Sequence, residues 1–522
     1  MVLKIGMLII FFGIMVGIGL YCKKQSTDVS GFVLGGRSVG PWLTAFAYGT
    51  SYFSAVIFIG YAGQFGWKFG IASTWIGIGN AFLGSLLAWV VLGRRTRLMS
   101  QHLGSATMPE FFEKRYMSPA LKIAASALIF VFLIPYTASL YNGLSRLFAM
   151  AFPLPGGEQV GYIICVAVMA VLTGVYVIAG GYMATAINDF IQGIIMLIGI
   201  IAVIAAVLSV GGGFTESIKE LAAVESEFDG AFASFFGPDP VNLFFVVILT
   251  SLGTWGLPQM VQKFYAIKSE QDINKGTVIS TVFALVVAGG CYFLGGFGRL
   301  FADKIDYAAD GTPIYDSIVP SMLSELNVVI IAIVLVLVLS ASMSTLSSLV
   351  LTSSSTLTLD LIRGHVVKRM SEKKQVFIMR VLIVVFIIIS AVIAIFKDSL
   401  PAIANMMGIS WGALAGAFLA PFLYGLYWKR TTKAAVWSSF AFGAGIMMMN
   451  MLFPGIFPEL FKSPINCGVI AMFGGLVIVP IVSLLTPKPE KSTVDDAFSC
   501  YEGLVTVKTS TALGEKTNNT NE

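Results

Sequence analysis

The sequence predicts an all-α polytopic membrane protein of about thirteen transmembrane helices, arranged as a five-plus-five inverted repeat. Three observations predict it. Apolar runs of about twenty residues recur along the chain, the length a helix needs to cross a bilayer core. Of its 522 residues 57% are hydrophobic and 12% charged, too few charges to clothe a water-soluble protein of this size. Two of the runs, five helices apart, are spoiled at mid-length by glycine, hydroxyl residues or proline. A transmembrane barrel would show short alternating strands instead, so that class is excluded.

The first run, Val2 to Tyr21, is membrane-length, lacks a small-residue cleavage pattern and has its main charges, Lys23 and Lys24, after it. It reads as a retained helix, not a signal peptide. Further runs follow at about 42–63, 70–93, 119–150, 158–178, 185–211, 241–257, 274–301, 327–361, 375–396, 402–427, 433–452 and 466–485. The polar tail after Thr486 is expected to be disordered.

Alternate connections carry the positive charge: Lys23, Lys24 and Arg37; Arg94, Arg95 and Arg97; Lys263 and Lys268; Lys368, Arg369, Lys373 and Lys374; Lys429 and Arg430; Lys488 and Lys491. The opposite parity holds the acidic stretches Glu216 to Asp229 and Asp303 to Asp316. Basic loops stay in the cytoplasm, which puts the N-terminus outside and the C-terminus inside the cell membrane. The net charge of +5 is then a topology signal, and no nucleic-acid partner is expected. Five scattered cysteines without CxxC spacing, and two histidines (His102 and His365) in polar connections, suggest neither disulfides nor a metal centre. With no nucleophile cluster visible, no enzyme activity is expected, and no obligate protein partner is evident.

The run Trp42 to Gly60, WLTAFAYGTSYFSAVIFIG, is weakened in its middle by Gly49, Thr50, Ser51 and Ser54. In hydrocarbon a helix unwinds only where its freed backbone groups meet protein, water or a ligand, so this centre marks a binding site. Leaving out the first helix and counting in fives, the seventh run, interrupted by Gly253, Gly256 and Pro258 in SLGTWGLPQ, occupies the matching place. Each set has an unusually long third member, 119–150 and 327–361, and an odd number per set makes the second enter from the opposite side. The division expected is 1–41 for the first helix and a cytoplasmic loop, 42–211 and 241–427 for the repeats, 433–486 for two peripheral helices and 487–522 for a cytoplasmic polar tail.

Within the long ninth run, SASMSTLSS places Ser340, Ser344, and Ser347 or Ser348 along one face. Hydroxyls are hard ligands, and together with carbonyls freed in a broken helix they supply the about five or six oxygens a sodium ion takes. Small hydroxyl residues are also ordinary packing between membrane helices, so local sequence leaves both readings open. Asp189, in GGYMATAINDFIQG, starts or immediately precedes an apolar helix, where an unpaired carboxylate is costly and usually has a role. Asp360 reads as a plain interfacial partner of Arg363.

The blocks FVLGGRSVGPWLTA (32–45), AGGYMATAIND (179–189), LPQMVQKFYAIKS (257–269) and LSASMSTLSS (339–348), in this order, resemble the sodium:solute symporter family, most nearly its sodium/proline symporters. The resemblance extends to about Leu452. It implies the LeuT-type inverted-repeat fold with an added first helix and two trailing ones, working by alternating access. By position it assigns to sodium the backbone carbonyls of Thr50, Phe53 and Ala341 and the hydroxyls of Ser344 and Thr345, with Asp189 near the ion. To the solute it assigns Ser54 and Ala55, Tyr136 in the fourth helix, and Gly253 to Trp255 in the seventh. One departure stands out: proline symporters carry an acid where this chain has Tyr52. The expectation is a sodium-coupled importer of a small organic solute, an amino acid such as proline first. The alternatives are a monocarboxylate, pantothenate or another solute, or proton coupling on the same fold with Asp189 as the titrating group.

Overall fold

The computed structural model describes residues 2–152, 158–226, 228–324, 326–367, 370–396 and 403–501. Lys368 and Arg369, and the tail from residue 502 onward, lie outside them. Ten helices are long and apolar enough to cross a membrane, and the bent pair Pro240–Gly256 with Pro258–Ala266 makes an eleventh. Two of the ten, at 47 and 52 residues, are far longer than a bilayer core needs. Each doubles back at a glycine in the left-handed region, Gly70 (φ 61°) and Gly181 (φ 56°), a conformation that a Cβ would penalise.

Contacts show the reversals. Helix α1 (Val2–Cys22) meets residues 161–169 near Leu8 and Tyr176 near Gly19, and then Asn188 donates back to the carbonyl of Met15. Residues 49–66 likewise run along 283–295, and residues 77–93 return along 289–273. The described residues therefore make thirteen crossings. They are α1; α2 (Pro41–Tyr52) continued after a break by α3 (56–69); α4 (74–102); α5 (Pro119–Ala151); α6 (158–180); and α7 (182–210). Then come α8 (Pro240–Leu252) continued after a break by α9 (Pro258–Ala266); α10 (Glu270–Gly295); α11 (328–366); α12 (Glu372–Ile395); α13 (Ile403–Tyr427); α14 (Lys433–Leu452); and α15 (Pro464–Leu485).

Two boundaries move in ways that matter. The seventh run does not stop at the break but continues as α9, so Lys263 is only 3% exposed, a core residue and not the loop charge its sequence position suggests. Asp360, 0% exposed, accepts from the Thr107 hydroxyl at 2.7 Å, while Arg363 pairs with Glu110 instead. The polar tail also begins in order. Lys491–Ser499 is a helix that buries Val494, Ala497 and Phe498 and pairs Asp495 with Lys429 at 3.0 Å.

The two broken helices lie at the centre. α10 packs against both α2 and α4, α11 packs against α5 and the α6–α7 pair, and α13 carries α14 and α15 on its outer side. The LGGRS block forms a turn whose residues Gly35, Gly36 and Arg37 all have positive φ. That turn directs the Arg37 guanidinium onto the carbonyls of Ser105 (2.6 Å) and Tyr265 (3.1 Å), tying the entry of α2 to the end of α9.

Candidate functional site

The first break falls after Tyr52. Gly49, Thr50 and Ser51 give α2 weak helical propensity at its end, and Phe53 turns extended (φ −89°, ψ 124°). Among the described residues no backbone N–H returns to the Thr50 carbonyl or to that of Phe53, the Ile57 and Phe58 N–H groups going to Ser54 instead, and α11 answers both. The Thr345 hydroxyl lies 3.3 Å from the Thr50 carbonyl, 3.2 Å from that of Phe53 and 3.1 Å from that of Ala341. One hydroxyl hydrogen cannot serve three acceptors, so oxygen converges here beyond the supply of protons. The hydroxyl of the adjacent Ser344, fully buried, has no hydrogen-bond partner among the described residues. A concentration of buried hard oxygens with unmet demand is an environment suited to an alkali cation.

Beside it runs a chain of polar groups from four elements. Ser51 on α2 and Ser348 on α11 share a hydrogen bond of 2.7 Å, and Lys263 on α9 donates to Ser348 at 3.0 Å. The Lys263 ammonium lies 3.8 Å from Asp189 on α7, whose carboxylate adjoins the Ser344 hydroxyl. Asp189 is fully buried, and neither of its oxygens accepts a hydrogen bond within the described residues. Ser347 turns away and donates to the Ser344 carbonyl. Lys263 is the member sequence reasoning missed. The signal that could have found it is its position five residues after Pro258, which restarts a helix long enough to stay in the core.

The opposite side of the first break faces aromatic residues. Ser54 and Tyr136 are fully buried, their hydroxyls have no partner within hydrogen-bond distance among the described residues, and they adjoin one another and the indole of Trp411 on α13. The Tyr136 and Trp411 rings meet edge to face at 5.9 Å, and Tyr52 lies 5.9 Å from the same indole. The Tyr52 hydroxyl donates to the Thr250 carbonyl at 2.9 Å, joining the two broken helices with a neutral hydrogen bond. Trp411 was not read from the sequence: a tryptophan in a long apolar run is indistinguishable from packing.

Other expected residues behave differently. Ala55 is buried at the restart of the helix. Gly253 belongs to a tightened turn, Gly253–Gly256, before Leu257 turns extended (φ −85°, ψ 122°). Trp255 directs its indole N–H away to the Leu83 carbonyl at 2.9 Å, so it anchors the break to α4. A cavity of about 530 Å³, lined by Gln64, Lys68, Asp239 and Arg299, opens at one end of the bundle. One of about 400 Å³, lined by Arg37, Glu110 and Arg363, opens at the other, with the buried groups between them.

Two discontinuous helices meeting at mid-bundle, with unsatisfied oxygens between vestibules on opposite faces, define a secondary transporter of the inverted-repeat kind. The family model described as sodium:solute symporter family matches residues 32–443. The chain is 31% identical over 460 residues to a sodium/proline symporter of Staphylococcus aureus, covering 85% of both chains. It is 28% identical over 489 residues to the osmoregulated proline transporter OpuE of Bacillus subtilis, covering 93% of this chain and 95% of that one. Among solved structures, a Na+-coupled sialic acid symporter in a substrate-bound outward-open state aligns with a TM-score of 0.71 at 15% identity, over 94% of this chain and 99% of the other. The chain belongs to the sodium:solute symporter family and has its LeuT-type fold. It is a multi-pass membrane symporter that couples a small organic solute to sodium.

Proposed function

We propose that the solute is an amino acid such as proline, and that sodium binds where the first break meets α11. The convergence of the Thr345 hydroxyl with the carbonyls of Thr50, Phe53 and Ala341 carries this reading. Ser344 completes the oxygen set, and Asp189, paired with Lys263, lies next to it. The solute occupies the side lined by Ser54, Ala55 and Tyr136, with Trp411 and Tyr52 as aromatic walls and the Gly253 turn opposite. The relatives named for proline support the substrate class. Tyr52 stands where the resemblance gives proline symporters an acid; its hydroxyl donates to the Thr250 carbonyl and leaves this side of the pocket without a fixed charge.

Coupling follows from differential binding. Sodium bridging α2 and α11 favours the conformation in which both halves of the broken helix shape the solute pocket, so each ligand raises the other's affinity. Inward release follows because sodium is scarce in the cytoplasm. The basic connections set the N-terminus outside and the C-terminus in the cytoplasm, and no enzymatic activity is assigned.

The test is uptake by proteoliposomes of labelled proline, other amino acids, pyruvate and pantothenate, with and without an inward sodium gradient. Accumulation of proline only with sodium is expected. Gradient-independent uptake would remove sodium from Thr345, and accumulation of pyruvate or pantothenate alone would replace the substrate class. Asp189→Asn separates ion from proton coupling: sodium affinity falls in a sodium symporter, whereas loss of pH dependence at unchanged sodium affinity would identify proton coupling.

A further inference from the structure

The chain of polar groups beside Thr345 has a charge balance that the sodium site alone does not require. We propose that the ammonium of Lys263 is a tethered cation. It holds the place a second mobile cation would take between Asp189 and Ser348, and so limits the protein to one bound sodium ion. This rests on the sodium reading above.

Four observations carry it. Lys263 and Asp189 are 3% and 0% exposed, so neither charge is relieved by water. Within 4 Å, Lys263 is the one basic partner of Asp189 among the described residues, so removing the ammonium leaves a net negative charge in the apolar interior. Two hard oxygen groups stand by the ammonium, the Ser348 hydroxyl at 3.0 Å, which also meets Ser51, and the Asp189 carboxylate at 3.8 Å, and the face of the Tyr182 ring lies with its centroid at 5.2 Å. Such a set accepts an ammonium and an alkali ion alike. Finally, the carboxylate is not closed off by donors. Among the described residues no donor lies within hydrogen-bond distance of either Asp189 oxygen, and the Ser344 hydroxyl stands beside them, so oxygens remain available to an ion once the lysine is gone.

The geometry also explains why the lysine must be tethered where it is. It stands on α9, the continuation of the second broken helix, and reaches Ser348 on α11 and Asp189 on α7. A fixed positive charge there neutralises Asp189 in every copy of the protein, whatever the sodium concentration. The ion at Thr345 then binds to hydroxyls and carbonyls with the nearest carboxylate already matched. A second ion would place a surplus charge in the core.

The experiment counts sodium bound to the purified full chain with 22Na, and compares thermal unfolding in sodium and in choline. The wild type should bind one ion. Lys263→Gln should bind two, and sodium should raise its unfolding temperature by more than it raises that of the wild type, because the second ion binds only the folded form. The double variant Lys263→Gln with Asp189→Asn, which restores neutrality, should return to one. Two ions on the wild type overturn the proposal, as does a Lys263→Gln variant that stays at one. If Lys263→Gln folds in neither salt while the double variant folds, the proposal also fails, since sodium then cannot replace the ammonium. Where neither variant folds, Lys263→Arg is counted instead: it keeps the positive charge and should stay at one ion, and a second ion on it overturns the proposal. Zero ions on the wild type would sink the parent sodium reading instead, a separate and recognisable result.

Discussion

The two broken helices share a backbone solution and differ in what answers it. Phe53 and Leu257 adopt nearly the same extended conformation, each interrupting a membrane crossing. At the second break the cause is local. Pro258 has no N–H to continue the helix and stands at the first position of α9, and the preceding tight turn is closed largely by near neighbours, with the Thr254 hydroxyl returning to the Ser251 carbonyl at 2.8 Å and the Leu257 N–H to the Thr254 carbonyl at 3.3 Å. At the first break no proline intervenes. The carbonyls of Thr50 and Phe53 are met by Thr345, almost three hundred residues away in the chain. A break with its own local cause can serve as rigid wall and anchor. One whose groups are answered by another helix can respond to an ion placed between them.

That contrast can be broken by substitution. The largest effect is expected at Gly256, where an added Cβ would lie 2.8 Å from the Ala415 Cα and 2.9 Å from the Leu419 nitrogen, both main-chain atoms of α13. Gly256→Ala should abolish sodium-driven uptake and destabilise the fold by about 1–3 kcal/mol, seen in uptake and in thermal unfolding. Normal uptake would show that the second break is not a rigid wall.

Thr345→Ala comes next. It removes the shared hydroxyl from three buried carbonyls, a loss of about 1–3 kcal/mol. The sodium concentration for half-maximal uptake should then rise roughly 10- to 100-fold, at about 1.4 kcal/mol per factor of ten. Unchanged sodium dependence in this variant and in Ser344→Ala would remove the ion from α11.

Tyr136→Phe should act more gently and on the other ligand. Its hydroxyl has no partner within hydrogen-bond distance among the described residues, so stability should hold while the solute concentration for half-maximal uptake rises by about 3- to 10-fold, the value of one hydrogen bond. A change in sodium dependence without one in solute dependence would misplace the pocket. The smallest effect is expected at Gly253, where an added Cβ meets nothing closer than 3.7 Å. Gly253→Ala should leave uptake within about twofold of wild type, and a severe loss would bring the solute into direct contact with this turn.

Much of this molecule was legible in one dimension. The crossings could be counted because bilayer thickness imposes a length on apolar runs, and the second break was visible because proline and glycine act within a few residues of themselves. The hydroxyl of Ser344 was visible as a pattern with Ser340 and Ser347 or Ser348, whereas Thr345 was assigned only through resemblance. Their convergence with Thr50 and Phe53 could be reached only through resemblance, because contact across the bundle has no local signature.

What the sequence by itself determined is the list of helices, the places where two of them fail, and the residue types able to hold a cation. Propensity, hydropathy and periodicity are all short-range properties of the chain. Only the tertiary structure decided that Lys263 is a core charge facing Asp189, that Asp360 is buried against Thr107, that Trp411 stands edge to face with Tyr136, and that Trp255 points away to Leu83. Each depends on which helix packs opposite, and a charge or an aromatic ring in an apolar run takes its role from that neighbour.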